Sequence, residues 1–321
     1  MTIEYRKLIS FGKSSFVVSL PKSWITQNKL KKGDLLYFEE SGTNLVLQAQ
    51  ANSLPPEEKE ISISIDGKDL RRIQREVVSA YIQNYKTIRL QGDEIKDKAK
   101  AIRSFIQNLV AMEVLEQDSK KIIAKDFLSF NDISVEQIVR KMDVITRSML
   151  ADCKNQFTED SYESMQHRDN DVNKFRFLIY RIIWFGMENP SFVLKTLKLT
   201  QRDSFNYWWL SFSIEGIADH IKRLARYMRE IKLSPKEQEK YIQVLRKIEV
   251  MYNEVMKAYY VHQVETAHKI LHERFEILQA CDEFYHQNRN IPLIGYLVYN
   301  TKSLIVTIHT IGRIIYQGMP G

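Results

Sequence analysis

The sequence predicts an α+β multidomain protein: a β-hairpin unit over 1–50, a small α/β unit over 61–130 and an all-α bundle over 131–321. Three observations carry this. Short Val- and Phe-rich runs broken by Gly-containing turns fill the first fifty residues. Strand-like and helix-like periods then alternate up to 130. From 131 onward apolar residues recur only at helical spacing. Length agrees, because 321 residues exceed one domain's usual size.

Within the first unit, residues 4–10 and 15–20 read as strands joined by Gly12-Lys13-Ser14. Pro21 opens a short helix, since proline's missing N–H would be unpaired at a first helical position anyway. Gly33-Asp34 ends it. DLLYFEE and NLVLQAQ, split by Ser41-Gly42-Thr43, form a hairpin. Fifty residues are few for a stable monomer, so dimerisation is expected. Residues 51–60, with Pro55-Pro56, read as a linker.

The middle unit reads as strand 61–65, helix 70–85, strand 86–91, helix 95–109 and a hairpin around Asp118-Ser119. It has no Gly-rich phosphate loop. Six helices follow, at about 134–155, 159–188, 203–230, 234–260, 264–287 and 292–318, in two halves of three. Ser134…Gln137 and Ser234…Glu237 have the capping-box pattern. Asn189-Pro190 stops the second helix.

Charge is the first functional signal. The chain carries 47 Lys and Arg against 40 Asp and Glu, a net +7. Residues 1–32 hold seven bases and one acid, a local +6, while the rest of the first unit, 33–50, adds the three acids Asp34, Glu39 and Glu40. A confined basic patch points to a polyanion such as nucleic acid, or else to a solvated surface. The two cysteines, Cys153 and Cys281, exclude a disulfide scaffold and fit a cytoplasmic setting. The most apolar stretch, 291–318, is interrupted by Lys302, His309 and Arg313, so no membrane insertion is expected.

The second signal is a set of carboxylates. Phe205, Trp208, Phe212, Glu215 and Asp219 share one stripe of the third bundle helix, read here as core-facing. On the second helix Asp169 and Asn173 lie one turn apart. Inward carboxylates need a metal or a counter-charge. Asp169, Glu215 and Asp219 are candidate ligands for a divalent metal or iron. Alternatively Arg176, Arg181, Lys222, Arg223 or Arg226 supplies the cation, or the ends of the stripe reach solvent. His268 and His272 are one turn apart, but HExxH needs Glu where Lys269 stands, so a charged face is the better reading. No catalytic signature emerges, and the chain does not read as an enzyme.

Two resemblances follow from these residues. Arg6-Lys7, Gly12-Lys13, Val17-Val18-Ser19-Leu20-Pro21-Lys22-Ser23-Trp24 and Leu30-Lys31-Lys32-Gly33-Asp34 resemble the SpoVT/AbrB-type DNA-binding domain. This implies a dimeric swapped-hairpin β-barrel, with Arg6, Lys7, Lys13 and Lys22 toward DNA. The family often has paired arginines after the Pro-containing turn; here Ile25 and Thr26 stand there. Glu215-Gly216-Ile217-Ala218-Asp219-His220 and Arg168-Asp169-Asn170-Asp171-Val172-Asn173 resemble the acidic motifs of the PhoU family, whose bundle has two three-helix repeats. The fused arrangement looks like PhoU-like regulators of archaeal type. Departures are Asn173 for an acid, Ile305 and His309 in the sixth helix, and His272 with Glu276 in the fifth.

Together these imply a cytoplasmic homodimeric DNA-binding regulator of phosphate homeostasis, its bundle sensing a signal or a partner. The alternative is an adaptor that binds no DNA and regulates a phosphate transporter subunit or a signalling kinase.

Overall fold

The computed structural model describes residues 5–41, 44–49, 58–189 and 192–318. The chain is mostly helical and divides into two compact units, 1–57 and 58–321.

The first unit contains two antiparallel hairpins with a short helix between them. Strand β1 (Ile9–Phe11) pairs with β2 (Ser15–Val17), and β3 (Tyr37–Ser41) with β4 (Asn44–Gln48). The first pair is shorter than the expected runs 4–10 and 15–20. Residue 4 and the 42–43 turn lie outside the described residues. Gly12 takes φ +71 in the β1–β2 turn, a conformation in which a Cβ is strained. Helix α1 (Lys22–Gln27) begins one residue later than Pro21, which occupies the cap with an extended backbone. Among the described residues the two hairpins form separate two-stranded sheets and no closed barrel. No described side chain of this unit is buried, and Leu8, Phe11, Phe16 and Leu35 are each more than 60% exposed. Among its described residues the apolar pattern therefore builds no interior.

The second unit starts with a four-stranded sheet in the order β5-β6-β8-β7. Strand β5 (Glu60–Ser64) crosses through α2 (Leu70–Ile82) to the parallel strand β6 (Thr87–Gln91). Helix α3 (Ile95–Gln107) leads to the hairpin of β7 (Met112–Gln117) and β8 (Lys121–Asp126). Ile73, Val77 and Tyr81 on α2 and Ile95, Ile102 and Ile106 on α3 form a core with Ile63, Ile88, Leu90 and Ile122 of the sheet. Asp69 caps α2 by accepting the Arg72 N–H at 2.8 Å.

The bundle comprises α4 (Val135–Cys153), α5 (Tyr162–Glu188), α6 (Gln201–Glu230), α7 (Pro235–Tyr260), α8 (Val264–Asn288) and α9 (Ile294–Gly318). A π-helical turn, Val193–Leu197, precedes α6. Helices α6 and α9 pack on each other at the centre; α4 and α5 flank α6, and α7 and α8 flank α9. Ser234 and Glu237 complete a reciprocal capping box with Pro235 at the first helical position. Ser134 caps α4 through the Gln137 N–H, but only that half of the box forms. A further complete box, Thr200 with Asp203, starts α6.

The sheet unit and the bundle are joined by a buried ion pair. Arg181 of α5 donates from Nη1 and Nη2 to Asp126 at 3.0 and 2.5 Å, and from Nε to Asn84 at 2.8 Å. Its guanidinium lies 4.5 Å from the Tyr81 ring centroid. Lys86 reaches the same carboxylate at 2.7 Å. Arg181 is thus committed to Asp126, not to the carboxylates of the bundle.

Candidate functional site

The carboxylates predicted from the sequence do converge, but not in the bundle core. The buried face of α6 consists of Leu210, Ile214, Ile217, Ile221, Leu224 and Met228. At 100° per residue, the stripe of Phe205, Trp208, Phe212, Glu215 and Asp219 falls roughly on the opposite side. Its aromatic end is at the surface, with Phe205 56% and Phe212 52% exposed. The core-facing reading is therefore corrected. Helix α6 is apolar on two sides, and the aliphatic side is the one that is buried.

Helix α5 brings Asp169 to this second face. Asp169 is 3% exposed. Lys222 Nζ bridges it at 2.6 Å and Asp219 at 2.9 Å. Arg223 also pairs with Asp219, one turn along α6. Arg176 lies 3.9 Å from Glu215, and its guanidinium faces the Phe212 ring at 5.8 Å. Asn173 donates its side-chain amide to the Asp169 carbonyl at 3.0 Å and to the carboxylate at 3.4 Å. Three acids thus meet three bases in one half-buried network.

The electrostatics follow from burial. Desolvation raises the Asp169 carboxyl above its ordinary range, against the pull of Lys222. It raises Glu215 likewise, against Arg176. Burial alone would lower the Lys222 ammonium, but Asp169 and Asp219 more than offset it and hold it above its usual value. Asp169 Oδ1 is buried with no hydrogen-bond partner.

These side chains do not fit a metal ion. The position between Asp169 and Asp219 is taken by an ammonium, and Asn173 turns its amide donor inward. Among the described residues no group of three or more His, Cys, Asp or Glu side chains is arranged to hold a metal. In the second half, Ile305 is buried in the core and His309 is half-buried. Burial, with Arg274 and Arg313 beside it, pushes the His309 imidazole down to about 4. His268 stacks on Tyr316, and His272 meets Phe275 edge-on. Burial also lowers the imidazole of His220, next to Asp219, against its hydrogen bond to Asn300.

The basic candidates lie on the first unit. Lys13 is at the tip of the β1–β2 hairpin, Arg6 and Lys7 are at its open end, and Lys22 starts α1; all four are exposed. Lys31 and Lys32 sit in the turn that Asp34 closes by accepting the Lys31 N–H at 2.7 Å. Thr26 donates its hydroxyl to the Lys22 carbonyl, and Ile25 is half-buried.

Sequence reasoning missed the Asp126–Arg181 pair. Its members are 55 positions apart on different elements, so no local spacing signals them. No described helix is long and apolar enough to cross a membrane. No protein-family model, no curated protein and no solved structure matches the chain, so what it does is argued from its own residues.

Proposed function

We propose that the chain is a DNA-binding regulator of phosphate homeostasis. In this reading residues 1–50 act as a SpoVT/AbrB-type dimer that contacts DNA, and the PhoU-like bundle receives a signal or a protein partner. One observation carries it: the unit whose residues 1–32 carry a local +6 buries none of its described side chains. Its exposed Leu8, Phe11, Phe16 and Leu35 need covering, and a second copy of the same hairpins covers them by closing one barrel. The dimer then doubles a +6 patch, which suits a phosphate backbone. Arg6, Lys7, Lys13 and Lys22 supply the phosphate contacts. The exposed Phe205, Trp208 and Phe212 offer the bundle an apolar face of the kind protein interfaces use.

A second reading has the unit serve only as a dimerisation clamp for an adaptor that holds a transporter subunit or kinase. Ile25 and Thr26 favour it, because neither can neutralise phosphate. Titration of labelled duplex DNA with the full chain and its Lys13→Glu variant, at two salt concentrations, separates the readings. The DNA reading expects binding weakened by both changes. Binding that is absent, or indifferent to both, refutes it.

A further inference from the structure

We infer that Lys222 Nζ is the resident cation of the acidic site on α5 and α6, and that neutralising this side chain opens a divalent-cation site on Asp169 and Asp219. The placement carries this. One ammonium bridges two carboxylates from two helices, at 2.6 and 2.9 Å. That is the role a hard cation plays between oxygen ligands, at slightly shorter range. The ammonium performs it incompletely. It donates to Asp169 Oδ2, while Oδ1 of this 3%-exposed residue is buried with no partner. The two oxygens of one carboxylate lie closer together in direction than two N–H bonds of an ammonium, so Lys222 cannot make well-aligned bonds to both oxygens of Asp169. A divalent ion, with flexible coordination, accepts both oxygens of one carboxylate.

The charges point the same way. Asp169, Glu215 and Asp219 are balanced by Lys222, Arg223 and Arg176. Lys222→Met keeps the length of the side chain and removes its charge, leaving the network at −1. Arg223 and Arg176 are bound to Asp219 and Glu215, so Asp169 keeps only the long contact from the Asn173 amide. An uncompensated buried carboxylate is costly, and a divalent cation relieves that cost where the ammonium stood.

The test uses the full chain as wild type, Lys222→Met, Lys222→Arg and the Lys222→Met/Asp169→Asn double variant. Metal content is measured by mass spectrometry, Mn²⁺ binding by calorimetry, and melting with EDTA or Mn²⁺. The wild type and Lys222→Arg should contain no stoichiometric metal and melt alike in both conditions. Lys222→Met should melt lower in EDTA, recover in Mn²⁺ and bind one ion per chain, and the double variant should bind none. A wild type that carries one ion per chain, lost on Asp169→Asn, overturns the inference. So does a Lys222→Met chain that folds without taking up the ion, or one that stays unfolded when the ion is supplied.

Discussion

Replacing Arg181 by Met should destabilise the second unit more than any surface substitution. The guanidinium and the Asp126 carboxylate are both fully buried, and the substitution removes two hydrogen bonds to Asp126 and one to Asn84. Breaking a buried pair from one side costs about 3–5 kcal/mol, because the remaining charge is left uncompensated. Here Lys86 stays 2.7 Å from Asp126, and the Leu128 N–H donates to it at 3.0 Å. That partial compensation places the loss near the lower end, about 3 kcal/mol. Asn84 and the Tyr81 ring, which face the same guanidinium, keep it from falling further. Urea unfolding followed by tryptophan fluorescence reads it directly, since Trp184 lies one turn along α5 from Arg181. The simultaneous replacement of Arg181 and Asp126 by apolar residues should recover part of the loss. A loss of unfolding free energy below about 1 kcal/mol for Arg181→Met would refute the claim that this pair joins sheet and bundle.

Ser234→Ala and Ser134→Ala should each cost about 1 kcal/mol in urea unfolding, because each removes the hydroxyl that accepts the Glu237 or Gln137 N–H, while the Ser234 backbone N–H keeps its bond to the Glu237 carboxylate. Burial pushes both cysteine thiols up to about 12. Cys153 and Cys281 should therefore resist thiol reagents at pH 8 in the native chain and react together in urea; rapid labelling of either in buffer would contradict their burial. Burial alone would raise the Asp126 carboxyl, yet Arg181 and Lys86 hold it below its ordinary value. Its share of stability is therefore present above about pH 4 and lost as pH falls through the folded value. Asp169 and Glu215, which burial raises, act in the opposite sense, so the readout is the difference in acid sensitivity between the wild type and Asp126→Asn.

Much of the fold is legible in the sequence because local chemistry sets it. The bundle helices begin within about three residues of where caps and apolar spacing place them, since Ser234, Pro235 and Asn189 act on the backbone nearest to them. Thr200 is as good a cap as Ser234, but Asp in the place of the usual Glu or Gln hides its box. The faces are less legible. Periodicity finds both stripes of α6, but it cannot say which one is buried. Aromatic weight suggested Phe205, Trp208 and Phe212; packing chose Leu210, Ile214 and Ile217. The candidate site was half visible. Its acids stand at helical spacing, and Lys222 was one of five possible cations. Only the crossing of α5 and α6 selects Lys222, 53 positions from Asp169.

The central claim is that the basic hairpin unit, completed by a second copy, meets DNA through phosphate contacts. Its most direct test is the salt dependence of binding of the full chain to a duplex. Two copies of Arg6, Lys7, Lys13 and Lys22 give eight phosphate contacts, hence a slope of about −7 for log K against log salt. With Lys13→Glu in both copies the slope should shrink to about −5. A slope near zero, or no binding at low salt, would contradict the account.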